Sequence, residues 1–283
     1  MAEFPLVRVP GALPVLRQAD RLQRRLRGRL WSFDQVQWDG VGYGDRPEQR
    51  LHVWEPDDLA PRDGWPAVLL VHGGGFVEGS WEEFSALGPM LCRRGMVVAA
   101  ASYRLAPTHR WPTPLIDIHA ALDRVFGMQV DAARVAIWGA SAGGTLALLA
   151  AQERPDLLCG VVAMGAPTDL GLLEDSRHWS VDALLDPEQV AAASPLHAPG
   201  ALPPTLLLHG AADAVVPVAH SRLLAARYPD RVQLIEVPDG DHGLRWPPRP
   251  ARKALRRAID TLVGWQDPAP RGSKWKRKGR ERR

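Results

Sequence analysis

Residues 134–146 read Arg-Val-Ala-Ile-Trp-Gly-Ala-Ser-Ala-Gly-Gly-Thr-Leu, and the run LALLAAQ carries on from there to Gln152. The continuous apolar stretch before Gly139 suits a strand buried on both faces, and the alanine- and leucine-rich stretch after Gly144 suits a helix. Ser141 stands between them in a G-x-S-x-G frame. A serine on so sharp a strand-to-helix turn takes up a strained backbone and presents its side chain outward. Its neighbours at minus two and plus two must be tiny to avoid collision, and Gly139 and Gly143 meet that need. The new helix also directs its positive end at Ser141.

Working outward, further apolar runs resemble this one: LHVWEP at 51–56, AVLLVHG at 67–73, MVVAAASY at 96–103, LLCGVVAMG at 157–165, PTLLLHGAAD at 204–213 and VQLIEVP at 232–238. Helical candidates fall between them at 114–126, 142–154, 217–228 and 249–266. Strands alternating with helices make an α/β chain with a doubly wound, mostly parallel sheet. The first two strands, near 31–38 and 50–56, are joined by the short stretch VGYGDRPEQ, too short for a crossover helix, so an antiparallel hairpin is expected at one edge.

A chain of 283 residues, 46% hydrophobic, suits one large globular domain. We expect it over 31–266, preceded by a basic helical or cap segment at 1–30 and followed by a basic, disordered tail at 267–283. No apolar run approaches the roughly 20 residues of a membrane-spanning helix. The N-terminal stretch shows no signal peptide, so a cytoplasmic location is expected. Cys92 and Cys159 lie in apolar stretches without CxxC or histidine spacing, and are expected as buried free thiols.

Two other segments bear on Ser141. His72-Gly73-Gly74-Gly75-Phe76 follows the strand at 67–71. Consecutive glycines let main-chain N–H groups approach a substrate oxygen, so Gly73 and Gly74, with the N–H of Ala142, are candidate oxyanion donors. Downstream, Asp213 falls just past one buried strand and His242 just past the next, which gives the chain order Ser, Asp, His. Asp213 could alternatively cap the following helix, and His242 could be a plain loop histidine. Asp239 and Asp241 compete for the role of acid, but a carboxylate beside the histidine in sequence generally cannot reach that residue's own Nδ1 while the ring faces the serine.

Other motif readings fail. Gly74 to Gly79 has P-loop glycine spacing, but Ser80-Trp81 follows where Lys and Ser/Thr should stand. Gly139 to Gly144 lacks the middle glycine of a dinucleotide fingerprint. There is no H-E-x-x-H, and no metal or cofactor is implied.

The combination HGGGF at 72–76, SYRLAPTHRWPTPLID at 102–117, GASAGG at 139–144, SPL at 194–196, LPPTLLLHGAAD at 202–213 and DGDHG at 239–243 resembles the hormone-sensitive-lipase-like branch of the α/β-hydrolase fold, which includes bacterial carboxylesterases with an HGGG motif. The resemblance runs over roughly 30–265. It implies Ser141 as nucleophile, Asp213 and His242 as its partners, and Gly73, Gly74 and Ala142 as oxyanion donors. It also implies that Tyr103, Arg104 and Asp117 are framework residues, and that the reaction is carboxylic ester hydrolysis through an acyl-enzyme. Many relatives carry an acidic residue before the nucleophile, where this chain has Ala140, a variant also found in feruloyl-esterase-like and kynurenine-formamidase-like groups. Amide hydrolysis of the formamidase type is therefore the alternative.

The insertion between Gly165 and Pro204 is short, so a small cap and a modest pocket for short acyl esters are expected. Phe76, Trp81, Trp179 and Trp246 are candidate pocket residues, each with core packing as the competing role. The expected partner is a small-molecule ester, with no specific nucleic acid. The basic ends are candidates for peripheral contact with an anionic membrane, although the Leu22, Leu26 and Leu30 stripe is explained more simply by packing. A triad lacking one member would have pointed instead to a binding module on the same fold.

Overall fold

The order of the strands decides where anything chemical can sit. In the computed structural model, which describes residues 35–173, 178–244 and 248–266, eight strands form one sheet in the order β1-β2-β4-β3-β5-β6-β7-β8. They are β1 (Gln35–Gly42), β2 (Arg50–Pro56), β3 (Trp65–Val71), β4 (Val97–Ser102), β5 (Val130–Ala140), β6 (Gly160–Met164), β7 (Thr205–Gly210) and β8 (Val232–Val237). β1 and β2 pair antiparallel with a register shift between Trp38 and Val41, and β2 also runs antiparallel to β4. From β4 to β8 every pairing is parallel. This is the doubly wound sheet with an antiparallel edge pair that the sequence predicts. The basic segments expected at 1–30 and 267–283 lie outside the described residues.

Alternation along the central strands builds two cores. In β3, Ala67, Leu69 and Val71 face one side and Val68 and Leu70 the other, all fully buried. A strand with no solvent face cannot show polar alternation, which is why it reads as a continuous apolar run. On the first face lie α2 (Thr113–Phe126), α3 (Ala142–Glu153) and α5 (Ala219–Arg227), and on the second lie α1 (Leu87–Cys92) and α6 (Pro248–Gln266). Every residue of α3 from Ala142 to Gln152 is buried, so this helix is enclosed on all sides, and the two polar side chains among them donate to carbonyls, Thr145 to Pro167 O and Gln152 to Pro195 O. α6 is one-sided: Ala251, Ala254, Ala258, Ile259 and Leu262 pack inward, while Arg252, Lys253, Arg256 and Arg257 face solvent. The Gln266 amide at its end donates to Ala67 O at 2.7 Å and Arg134 O at 3.2 Å, tying the helix to β3 and β5.

β3 and β5 are neighbours although β4 intervenes in sequence, with Val71 paired to Gly139. The chain leaves β3 toward one edge and, after β4, returns on the other side. The resulting crevice at the carboxyl ends of β3 and β5 is the topological switch point, where open parallel sheets hold their ligands. Among the described residues between β6 and β7 the chain forms a short helix, α4 (His178–Leu184), and 3₁₀ turns at Leu170–Leu172 and Pro187–Gln189. Among the described residues no helix is long and apolar enough to cross a membrane. Cys92 is buried and Cys159 half-buried, both as free thiols whose pKa burial pushes up to about 12.

Candidate active site

Ser141 closes β5 and opens α3 with φ 51° and ψ −122°, a left-handed conformation that costs a β-carbon-bearing residue on the order of 1–3 kcal/mol. The turn is held from several sides: Ser141 N–H donates to Met164 O at 2.7 Å, and its carbonyl accepts from Gly144 N at 2.8 Å. A β-carbon at Gly139 would lie 2.1 Å from Gly143 O, and one at Gly143 would lie 2.2 Å from both Val71 O and His72 O. Those two glycines are therefore required by close backbone approach.

His242 comes from the loop after β8. Its Nε2 lies 3.0 Å from Ser141 Oγ, and its Nδ1 lies 2.7 Å from Asp213 Oδ2. A carboxylate only accepts, so Nδ1 carries the proton and Nε2 offers its lone pair to the serine hydroxyl. The ring is seated on Gly165, where a β-carbon would come within 3.3 Å of it. Asp213 is fully buried at the side chain, and its Oδ1 accepts from Val215 N at 2.8 Å and Val216 N at 2.9 Å. Burial works against its charge, but hydrogen bonds from His209, His242 and Val216 N outweigh it and hold the carboxyl well below the usual carboxylate range. Asp213 therefore both caps the turn before α5 and meets His242. Asp239 and Asp241 do not take its place on Nδ1.

The segment after β3 faces this array. Gly74, Gly75 and Phe76 have consecutive positive φ values of 96°, 60° and 66°. Gly74 O closes the turn by accepting from Val77 N and Glu78 N, each at 3.1 Å. A β-carbon at Gly73 would lie 3.1 Å from that of Ser141, so the two backbones are in contact. The Gly73 N–H, expected from the sequence as an oxyanion donor, instead donates to Glu83 Oε2 at 3.1 Å.

A family model described as alpha/beta hydrolase fold matches residues 68–244, more than half of the chain. The chain belongs to the α/β-hydrolase fold family. Esterase LipC of Mycobacterium tuberculosis is 31% identical over 240 residues, covering 72% of this chain and 59% of that protein. Esterase LipQ of the same organism is 27% identical over 255 residues, covering 79% and 60%. The chain thus spans about three-fifths of the length of either relative. Among solved structures, the thermophilic carboxylesterase EstE1, cloned from a metagenomic library, superposes with a TM-score of 0.70 at 27% identity, over 93% of this chain and all of that one. A bacterial heroin esterase gives 0.68 at 25% identity, over 90% and 92%.

Within this α/β-hydrolase chain, the tentative pocket residues separate. Phe76 is buried in the first core, at 2% exposure. Trp81 is stacked on His52, with ring centroids 3.7 Å apart, and edges onto Trp54 at 6.0 Å; it packs against the second core. Trp246 and the Trp179 side chain lie outside the described residues.

Arg104 and Asp117 are framework residues here. The guanidinium reaches the fully buried carboxylate through Nε at 2.9 Å and Nη2 at 2.6 Å, and Gln49 adds a bond at 2.8 Å. Two features escaped the sequence reading. His209 is buried with Nε2 3.3 Å from Asp213 Oδ2 and Nδ1 2.7 Å from Ser221 Oγ; its four-residue spacing from Asp213 at a strand end was the available signal. α4 lies beside the glycine loop, with Ser180 3.4 Å from where a Gly75 β-carbon would stand; at seven residues it is too short for a helical period to announce it, and Trp179 was the one residue in it that the sequence singled out.

Proposed function

We propose that the chain is a carboxylic ester hydrolase acting through Ser141 as nucleophile, His242 as general base and acid, and Asp213 as the orienting carboxylate. The reading rests on one observation: hydrogen bonds run unbroken from Ser141 Oγ to His242 Nε2 at 3.0 Å and from His242 Nδ1 to Asp213 Oδ2 at 2.7 Å. Relatives named as esterases support the choice of ester over other acyl substrates.

In the first step Ser141 Oγ attacks the ester carbonyl carbon while its proton passes to His242 Nε2. The buried negative charge of Asp213 stabilises the imidazolium that forms, without itself taking the proton. The carbonyl oxygen becomes an oxyanion facing the N–H groups of Ala142 and Gly74. Collapse breaks the bond to the alcohol, which leaves with the proton from Nε2, and Ser141 is left acylated. Water then attacks the acyl carbon, again deprotonated by His242, and releases the acid. The short α4 is the cap element standing over the glycine loop among the described residues, so short acyl chains are the proposed substrates.

Two measurements test this. Wild type should hydrolyse p-nitrophenyl esters best in the acetate to hexanoate range and take up one fluorophosphonate, read by intact-mass spectrometry. Ser141→Ala should lose both while remaining folded. A fluorophosphonate adduct that persists in Ser141→Ala would mean another nucleophile, and an optimum at palmitate would overturn the pocket argument.

A further inference from the structure

We propose that Glu83 is a positioning residue for the oxyanion site: its carboxylate fixes the Gly73 amide so that the next amide, Gly74, is aimed at the space above Ser141. This rests on the serine-hydrolase reading of the site. Glu83 belongs to none of the motifs that mark the family resemblance. It reaches the site from the 3₁₀ turn Trp81–Phe84, which is anchored by the burial of Phe84 and by the Trp81 indole stacked on His52.

Two successive peptide planes explain how a carboxylate there can orient a donor it never touches. A trans peptide unit is rigid, with its N–H and C=O pointing in opposite directions, so fixing one end fixes the other. The plane joining His72 to Gly73 is gripped at both ends: His72 O accepts from Tyr103 Oη at 3.1 Å, and Gly73 N–H donates to Glu83 Oε2 at 3.1 Å. The plane joining Gly73 to Gly74 is gripped at one end, where Gly73 O lies 2.8 Å from His72 Nδ1. A carbonyl only accepts, so the imidazole donates, and the Gly74 N–H is turned to the side away from that ring.

The glycine loop needs such fastening. Gly74 and Gly75 have no side chains to lock them, and each glycine fixed in the left-handed region gives up more backbone freedom than other residues do. Without Glu83, rotation about the Gly73 backbone would move the donor plane, and oxyanion donors act only when held about 2.7–3.1 Å from the developing charge. Glu83 is exposed, so water screens its charge, and what it contributes is an acceptor at a fixed place. A glutamine keeps that acceptor; an alanine does not.

The test compares Glu83→Ala and Glu83→Gln with wild type on p-nitrophenyl acetate. Losing an oxyanion donor outright slows kcat by roughly 100- to 1,000-fold, so a loosened one in Glu83→Ala should slow it by about 10- to 100-fold, with KM within about two-fold. Glu83→Gln should recover to within about three-fold of wild type. Fluorophosphonate labelling of Glu83→Ala should be slower yet reach completion, which separates a displaced donor from an unfolded protein. Amide hydrogen exchange over 72–79 should quicken in Glu83→Ala and not in Glu83→Gln. An alanine variant with wild-type kcat, unaltered exchange over 72–79, or a glutamine variant as slow as the alanine one would each overturn the assignment. A wild type that neither turns over esters nor takes the label would instead sink the proposed function, and the exchange experiment would still decide whether Glu83 holds the loop.

Discussion

Asp213 holds two kinds of donor at once, the His242 ring and the turn amides of Val215 and Val216, with His209 Nε2 3.3 Å away and itself bonded to Val216 O at 2.8 Å. Such a carboxylate cannot rotate, so the imidazole it orients cannot either. Replacing it by asparagine keeps the size but offers His242 Nδ1 an amide that can bind the wrong tautomer. We expect Asp213→Asn to lower kcat by about 10⁴-fold while KM changes little, and Asp239→Asn and Asp241→Asn to cost far less. Steady-state kinetics on one short ester decides it; an active Asp213→Asn beside a crippled Asp241→Asn would reverse the assignment. The three side chains that meet could be named from the sequence because each follows a strand end in a motif. The Gly73 amide could not be read that way. The direction of an N–H is a matter of backbone dihedrals, and its acceptor, Glu83, sits in a turn with no periodicity to announce it. Trp81 was unreadable for a related reason: a tryptophan just beyond the motif can face either side, and the packing partner that decides, His52, is distant in sequence.

At the scale of elements, all the apolar runs picked from the sequence are strands; the central parallel ones, buried on both faces, leave the plainest signature, while antiparallel β2 and edge strand β8 keep enough apolar residues to be read. The departures are at places where local propensity is overruled. β1 (Gln35–Gly42) is at the sheet edge with no fully buried residue, so it carries little hydrophobic pattern. α1 contains Gly88 and Pro89, poor helix formers; Gly88 is needed because a β-carbon there would sit 2.4 Å from the Trp54 ring. Beside the β2–β4 ladder, a polar cluster ties the edge hairpin to the domain: Asp117 on α2 receives Arg104 after β4 and Gln49 before β2, and is wholly buried. Removing one partner of such a pair strands the other charge, and breaking it typically costs about 3–5 kcal/mol. We expect Asp117→Ala to lose stability of that order in urea unfolding, with kcat of the remaining folded enzyme within a few-fold of wild type. A loss below about 1 kcal/mol would show that the network is merely tolerated.

Across the whole molecule, the site lies within the described sheet and loops, so deleting residues 268–283 should leave turnover of small soluble esters nearly unchanged. Turnover abolished in a folded truncation would place part of the site in that segment. Acid stability depends on groups spread wider. His72 at the end of β3 and His220 on α5 are both buried, and burial pushes each down to about 4, with repulsion from His209 adding to the effect at His220. Neither is charged in either state above the ordinary histidine value of about 6.5, so they give stability no pH dependence there. Between about 6.5 and 4 the unfolded chain binds protons that the folded one refuses, so stability falls as pH falls through this window and levels off for these groups below it. Asp213, depressed in the folded state, adds its own loss only as pH drops below its ordinary value near 3.8. With two histidines acting together, the unfolding free energy should decline by up to about 2.7 kcal/mol per pH unit in the middle of the window. Urea unfolding at pH 7.5, 5.5 and 4.5 should therefore show little change on approaching neutrality from above and a steep loss below it. His220→Gln should flatten the slope by about half, since one of the two refused protons is then gone. Stability that held constant from pH 7.5 to 4.5 would mean that these imidazoles can be charged where they stand.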